Sequence, residues 1–363
     1  MKLQVTQENL NRALGSVARV ANTRSTLPIL ANVLIKTSSN RLSISATNLD
    51  IAITHYIGAK VSNEGSITVP ARLMQDFISN LPSGVINLEL SDNKLNVSMD
   101  KYKSTVNGII ADDFPVMPAI SKGKKITISA KDLKKGLQQV VFSASNDETR
   151  PVLTGVLFKK FGSNLCIAST DSYRLAEKIL TKSKEDIDLL IPASSITDLL
   201  RIINDSDEQV EITYDEQQVL FKVEDIELVT RLIDGKYPDY RKLIPEKFTI
   251  EAVLKKSDFV NVTKVSSLFA RESAGSVTID INEEEQQLSI RSVASQLGEN
   301  TATATAKAKG SGSITLNSRY LLDALGAIHG DEVSFGFNGK LEPTLLKEPS
   351  SEDYRHVIMP LKS

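Results

Sequence analysis

One arrangement of apolar and polar residues occurs three times along this chain, and that repetition limits its fold more than any single motif. The segments opening "KLQVTQENLNRALGSV", "KITISAKDLKKGLQQVV" and "FTIEAVLKKSDFVNVTKVSSLF" each read as a strand entering a helix, then a loop and further strands. Leu10, Leu14 and Val17, then Leu133, Leu137 and Val140, then Phe259, Val262, Val265 and Phe269 fall at helical spacing, so each helix should turn one apolar stripe to a core. A second pattern follows each copy: "SITVPARLMQDFIS", "DLLIPASSITDLLRII" and "SITLNSRYLLDALGAI" read as a short strand running into a helix. Pro70 and Pro192 stand near the start of that helix, where a missing N–H costs least, and Asn317 takes their place in the third copy.

The copies keep register. Pro28 and Pro151 are 123 residues apart, as are Pro115 and Pro238, and Pro70 and Pro192 are 122 apart. Alternating stretches such as "INLELSDNKLNVSM" and "VEITYDEQQVLFKV" predict antiparallel strands joined by Asp-Asn and Asp-Glu turns. The expected organisation is α+β: three domains over 1–121, 125–245 and 248–363, with "SKGKK" and "IPEKF" as linkers and the helices gathered on one face of antiparallel sheets. Helices are predicted over 8–21, 71–81, 131–143, 194–204, 256–269 and 318–329.

Composition agrees with a globular chain of several domains: 363 residues, 41% hydrophobic and 24% charged. Polar residues interrupt the longest apolar stretches well short of the ~18–20 residues that cross a bilayer. The opening "MKLQVTQENL" carries no apolar leader pattern, so a cytoplasmic protein with no membrane partner is expected. The single cysteine, Cys166 in "LCIAST", has no partner for an intramolecular disulfide and reads as a buried, inert thiol.

The inventory of reactive groups is mostly negative. His55, His329 and His356 are the only histidines, and none has a second ligand at metal-binding spacing, so no metal, cofactor or catalytic residue is expected. The chain has no G-x-S-x-G, P-loop or G-x-G-x-x-G; "GSGS" at 310–313 reads as a tight turn, and "DD" at 112–113 and "NEEEQQ" at 282–287 as solvated turns. Charge is nonetheless segregated. The six predicted helices hold ten basic and six acidic residues, a balance of +4 in a chain whose total is −2. Helices sharing one face would make it attractive to phosphate, whereas helices facing different ways would be ordinary solvated surfaces.

The threefold pattern, "TLPIL" at 26–30, "TDSYRL" at 170–175, "DGKYPDYRKLIP" at 234–245 and the closing "VIMPL" at 357–361 together resemble the beta subunits of bacterial DNA polymerase III, the bacterial sliding clamps. The resemblance extends from Met1 to Ser363. It implies the DNA clamp fold and a non-catalytic processivity factor for DNA replication: a head-to-tail homodimer closed into a ring, helices lining the hole and sheets outside. Twelve helices at ~8–10 Å spacing give a ring roughly 30–38 Å across at the helix axes, which admits a duplex without reading its sequence. Arg24 falls where the family places a DNA-contacting arginine; Arg72, Lys134, Lys135 and Arg201 join it on charge.

The resemblance also implies an apolar pocket that takes linear peptides from the replicative polymerase, the clamp loader and repair proteins. In this chain its positions are Leu153, Thr170, Ser172, Tyr173, Arg174 and Leu175, then Pro238, Leu243, Asn317 and Tyr320, and finally Pro343, Val357, Met359, Pro360 and Leu361. Arg174 would orient polar groups of the peptide. Ser172 and Tyr173 replace a frequent glycine-histidine pair and Pro343 a common serine, so a shifted peptide preference is expected. Read without the family, "TDSYRL" is a capped turn in which Asp171 and Arg174 pair locally. For the subunit interface, Lys103, Ser104 and Val106 would face Leu268 and Phe269, with Ser104 standing where a large apolar side chain is common. Two other classes fit parts of the pattern. A nucleic-acid enzyme would need clustered carboxylates for metal ions, and a peptide-binding scaffold would not need basic helices.

Overall fold

The computed structural model describes residues 1–21, 27–115, 119–120, 122–206, 208–295 and 298–362, with Glu272 described by its backbone alone. Six α-helices are present among the described residues: α1 Gln7–Val17, α2 Ala71–Ser79, α3 Ala130–Val140, α4 Ala193–Ile202, α5 Lys256–Phe269 and α6 Ser318–Ala327. Each matches a predicted helix to within four residues at either end, and α5 matches to the residue. α1 stops at Val17, four residues early, because Val20 N–H folds back to the Val17 carbonyl. A 3₁₀ turn, Val141–Ser143, takes over where α3 was expected to continue.

Backbone contacts show that the repetition is structural. The amides of Gln7, Ala130 and Lys256, at the starts of α1, α3 and α5, donate to the carbonyls of Gly84, Glu208 and Asp331, each at 2.8 Å. Strand register repeats too, since Asn32 lies opposite Pro70, Gly155 opposite Pro192 and Ser276 opposite Asn317. Asn317 thus occupies the proline position, and its side chain caps α6 by accepting from the Arg319 and Tyr320 amides. This cap satisfies two first-turn amides, which Pro70 at the corresponding position has no side-chain acceptor to do.

The chain forms two compact units that cut through the middle repeat. The first comprises Met1–Lys131 and Thr197–Leu232. Its five-stranded sheet runs Lys60–Asn63, Lys2–Thr6, Val85–Ser91, Lys94–Met99, Tyr102–Asn107. Its eight-stranded sheet runs Lys124–Ser129, Gln209–Tyr214, Gln218–Val223, Ile226–Arg231, Ile51–Gly58, Arg41–Thr47, Asn32–Ser38, Ser66–Pro70. In it a strand of the second repeat pairs with one of the first, Ile226 opposite His55 and Leu228 opposite Ile53. α1 and α2 pack together, with Leu10, Leu14 and Val17 fully buried and Gln7 Nε2 donating to the Ile78 carbonyl at 2.8 Å.

The second unit comprises Asp132–Ile196 and Ile233–Ser363. Its nine-stranded sheet runs Asp188–Pro192, Gly155–Phe161, Asn164–Thr170, Arg174–Lys182, Tyr354–Ile358, Thr344–Lys347, Glu332–Phe337, Ile250–Lys255, Lys307–Lys309. Again two repeats share a sheet, with Leu175 of the second opposite Val357 of the third. A four-stranded sheet runs Gly298–Thr305, Gln287–Ala294, Ser276–Asn282, Gly312–Asn317. Gly310 turns between strands at φ +72°, where a Cβ would come within 2.3 Å of the Thr249 carbonyl oxygen; only glycine fits that turn.

Two expectations need correction. Val265 does not join the apolar stripe of α5: it is 45% exposed, as is Leu268 at 51%, and the buried face runs through Phe259, Val262, Thr263 and Ser266. The linkers are also shorter than expected. Ser121 lies outside the described residues, Lys124 already begins a strand, and Ile244 and Phe248 of "IPEKF" pack on an apolar cluster. No helix among the described residues is long and apolar enough to cross a membrane.

His356 is fully buried, stacked on Phe142 with ring centroids 5.6 Å apart, and its Nδ1 shares a 3.0 Å hydrogen bond with the Tyr354 hydroxyl. Burial first, and then the Arg174 charge, pushes its pKa down from 6.5 to about 3. The unfolded chain therefore gains a proton near pH 6.5 that the folded chain refuses, and stability falls as pH drops from 6.5 toward 3. Urea unfolding should show a loss of about 2 kcal/mol between pH 6.5 and 5. Replacing the ring by His356→Gln should remove the larger part of that slope, leaving the smaller share of His55 and His329, whose pKa values are also lowered.

Candidate functional site

The stretch "TDSYRL" joins strands Asn164–Thr170 and Arg174–Lys182 in a three-residue turn held by its own side chains. Asp171 Oδ1 accepts from the Tyr173 and Arg174 amides at 2.9 and 3.0 Å. Thr170 Oγ1 accepts from the Ser172 amide at 3.1 Å and donates to the Arg174 carbonyl at 2.6 Å. Ser172 sits at φ +81°, in the left-handed region that favours glycine. Its hydroxyl accepts from Arg150 Nη1 at 2.9 Å, and Arg150 Nε also donates to Asp147 at 2.9 Å.

Arg174 is the hub. Each guanidinium nitrogen donates within the chain: Nε to Asp171 at 3.0 Å, Nη1 to Asp323 on α6 at 2.6 Å, and Nη2 to the Phe142 carbonyl at 2.7 Å. The group lies between the Tyr320 and Phe142 rings, 4.5 and 5.4 Å from their centroids, with only 12% of its side chain exposed. The local pairing with Asp171 is therefore present. Arg174 acts as a brace that fixes α6, the 3₁₀ turn after α3 and the hairpin to one another, since fork donors this satisfied are rigid.

Around this brace the other predicted pocket residues separate by burial. Leu153, Leu175 and Val357 are buried; Leu175 and Val357 share an apolar cluster with Leu157, Leu190, Tyr237, Tyr240 and Leu345. Pro238 and Leu243 flank Tyr240 on the surface, Leu243 being 53% exposed. Tyr173 is 60% exposed, and its carbonyl accepts from the Met359 amide at 2.8 Å, which brings the segment Met359, Pro360, Leu361 alongside the turn. Those three residues, with Thr170, Tyr320 and Pro343, are half-buried. Asn317 is occupied as the α6 cap, and its Nδ2 donates to the Ala274 carbonyl at 3.2 Å. All fifteen positions lie in the second unit; Leu175 and Val357 belong to its aliphatic cluster, while Tyr173 and Leu243 are exposed. Sequence reading missed Arg150 and also Glu177, two residues along the same strand face as Leu175 and 2% exposed. The alternation of that strand puts Glu177 inward, which was signal enough to look for partners.

The cationic positions are less uniform. Arg24 lies outside the described residues, as does Thr26 of "TLPIL". Arg72 on α2 and Lys135 on α3 are exposed, whereas Lys134 is half-buried and engaged. Arg201 pairs with Asp198 at 2.5 Å, which reduces its reach toward an external anion. In the first unit a cavity of ≈ 440 Å³ opens beside α1 and the last turn of α4, lined by Arg12, Arg19 and Arg201. Three carboxylates also line it, each already satisfied: Asp198 by Arg201, Asp225 by Arg41 and Glu224 by Asn204. His55 on its wall bonds Ser16 through Nδ1 at 2.9 Å, and burial, with the Arg12 charge second, lowers its pKa. No group of three potential metal ligands occurs among the described residues.

Of the positions expected at a subunit interface, three lie on a sheet edge and two on α5 beside another. Tyr102–Asn107 ends the five-stranded sheet and carries Lys103 exposed, Ser104 half-buried and Val106 buried. Gly298–Thr305 ends the four-stranded sheet, against which α5 packs with Leu268 exposed and Phe269 half-buried.

Comparison with known proteins gives a consistent picture. Three family models match in order: the N-terminal domain of the DNA polymerase III beta subunit over 1–118, its central domain over 127–239 and its C-terminal domain over 241–362. The beta sliding clamp of Bacillus subtilis is 32% identical over the full length of both chains, and that of Staphylococcus aureus 29%. The crystal structure of the B. subtilis clamp superposes with a TM-score of 0.96 at 30% identity, covering 100% of this chain and 99% of that one. A Pseudomonas aeruginosa clamp solved with griselimycin superposes at 0.95 and 25% identity, with both chains fully covered. The chain therefore belongs to the DNA polymerase III beta subunit family, the beta sliding clamps, a family of non-catalytic processivity factors.

Proposed function

We propose that this chain is a replication clamp that closes head-to-tail with a second copy around duplex DNA, in the bacterial cytoplasm, and tethers its partners through the site on the second unit. The observation that carries this reading is a rule of strand pairing. The last strand in the second half of one repeat pairs with the third strand after the first helix of the repeat before it: Ile226–Arg231 on Ile51–Gly58, and Tyr354–Ile358 on Arg174–Lys182. Two strands of that kind remain at sheet ends, Tyr102–Asn107 of the first repeat and Gly298–Thr305 of the third. Applied once more, the rule pairs them between two copies and closes a ring of six repeats with domains near 1–121, 125–245 and 248–363.

Apolar groups at these edges favour the same closure. Tyr102, Leu268 and Val293 are 47%, 51% and 58% exposed, and an unpaired strand beside such side chains invites addition of another. Lys103, Ser104, Val106, Leu268 and Phe269 are thus assigned to the interface. Enclosure needs little affinity for DNA itself. Exposed Arg72 and Lys135 supply weak attraction to phosphate, with Arg24 and Lys134 beside them in sequence role and Arg201 moderated by Asp198.

A ring should stay on circular DNA and slide off once the circle is cut; equal retention on both forms would overturn the reading. Leu268→Asp places a charge at a site exposed in the single chain, so folding should survive. Sedimentation should then show a monomer at concentrations where the unaltered chain is dimeric, and retention on circles should vanish.

For the pocket, the P. aeruginosa clamp's ligand offers a probe. Peptides from polymerase, clamp loader and repair proteins are the intended ligands, with aliphatic anchors on the Leu175 and Val357 floor and the exposed Tyr173 ring as a wall. Leu243→Asp should weaken griselimycin binding at least tenfold by calorimetry without lowering the unfolding midpoint, because Leu243 is exposed.

A further inference from the structure

Glu177 is a buried carboxylate that neither DNA binding nor ring closure uses. Its side chain is 3% exposed, and Oε2 accepts from the Tyr240 hydroxyl at 2.6 Å and from Arg241 Nε at 2.8 Å. Arg241 also donates through Nη2 to the Cys166 sulfur at 3.2 Å, and its guanidinium lies 3.6 Å from the Phe161 ring centroid. Both donors belong to the segment that leads from the second repeat to the third. That segment has little regular structure: a single 3₁₀ turn, Tyr240–Leu243, with Tyr240 N–H bonded to the Pro238 carbonyl. Backbone bonds alone would leave it free to shift. Tyr240 additionally packs edge-on against Phe161 and Tyr237 within the cluster that contains Leu175 and Val357.

We propose that Glu177 is a positioning residue for the peptide pocket, a buried anchor that fixes the connector carrying Pro238 and Leu243 against the Leu175 and Val357 floor. Leu175 and Glu177 are two residues apart on one strand, so floor and anchor are set by the same backbone. The carboxylate is almost wholly buried and draws two donors from adjacent connector residues. Two charge-assisted bonds converge on Oε2 from neighbouring connector residues and resist displacement of the turn. Burial, reinforced by Glu177, raises the Tyr240 phenol, which keeps that donor protonated at any working pH. The same surroundings push the Cys166 thiol up to about 11, through burial first and the Glu177 charge second, so it serves as a neutral acceptor beside Arg241.

This rests on the pocket assignment above, and the test separates the two. Griselimycin binding is measured by calorimetry, and amide exchange over 237–244 by mass spectrometry, for the full chain, Glu177→Gln, Tyr240→Phe and Arg241→Lys. Ile290→Val, in the four-stranded sheet, serves as a control for general destabilisation. Glu177→Gln should accelerate exchange over 237–244 and weaken griselimycin roughly tenfold. Tyr240→Phe should give part of that loss, and Arg241→Lys, which keeps a charged donor, should restore most of the affinity relative to Glu177→Gln. Ile290→Val should change neither exchange nor affinity there. Unchanged exchange and affinity in Glu177→Gln would overturn the anchor. If the unaltered chain does not bind griselimycin, the pocket assignment falls, while faster connector exchange in Glu177→Gln still identifies Glu177 as what holds that segment.

Discussion

Antiparallel pairing across repeat boundaries is the interaction on which the rest depends. A sheet edge is a row of unmet donors and acceptors, and a chain of repeats can either blunt each edge or use it. Here Ile226–Arg231 completes a sheet begun by the first repeat, and Tyr354–Ile358 completes one begun by the second. The linkers do not need to be stiff, because the joint is the sheet. The same pairing builds the candidate site: Leu175 and Val357 face each other only because strands from two repeats are neighbours.

On that foundation the site is braced from several directions. Arg174 has its three nitrogens committed to Asp171, Asp323 and the Phe142 carbonyl, so its charge is spent on geometry. Beside it, Arg150 steadies Ser172 in a backbone conformation that a side chain makes costly. A surface that must accept varied short peptides gains from such rigidity, since an ordered receptor surrenders less freedom on binding.

The fold was legible wherever periodicity carried it. Helical stripes such as Leu10, Leu14 and Val17, and the recurring proline that Asn317 replaces, located the six helices. Legibility failed where tertiary neighbours decide. Val265 has helical spacing but no neighbour to cover it, so spacing alone misassigned it. The partners of Arg174 and of Glu177 come from residues as far as 149 and 64 positions away, beyond any local pattern. The pocket positions came from the family resemblance, and Leu175 and Val357 among them would otherwise have read as plain core.

Because each large sheet draws on two repeats, the segment between 125 and 245 divides its strands between the two units. Its strands Lys124–Ser129 and Gln209–Arg231 belong to one unit, and Gly155–Pro192 to the other. Melting and proteolysis should respect sheets rather than repeats: a fragment cut at the repeat boundaries would carry two half-built layers, each missing the strands that cover it. Duplication supplied the parts list of this protein, but cooperativity is organised along different seams.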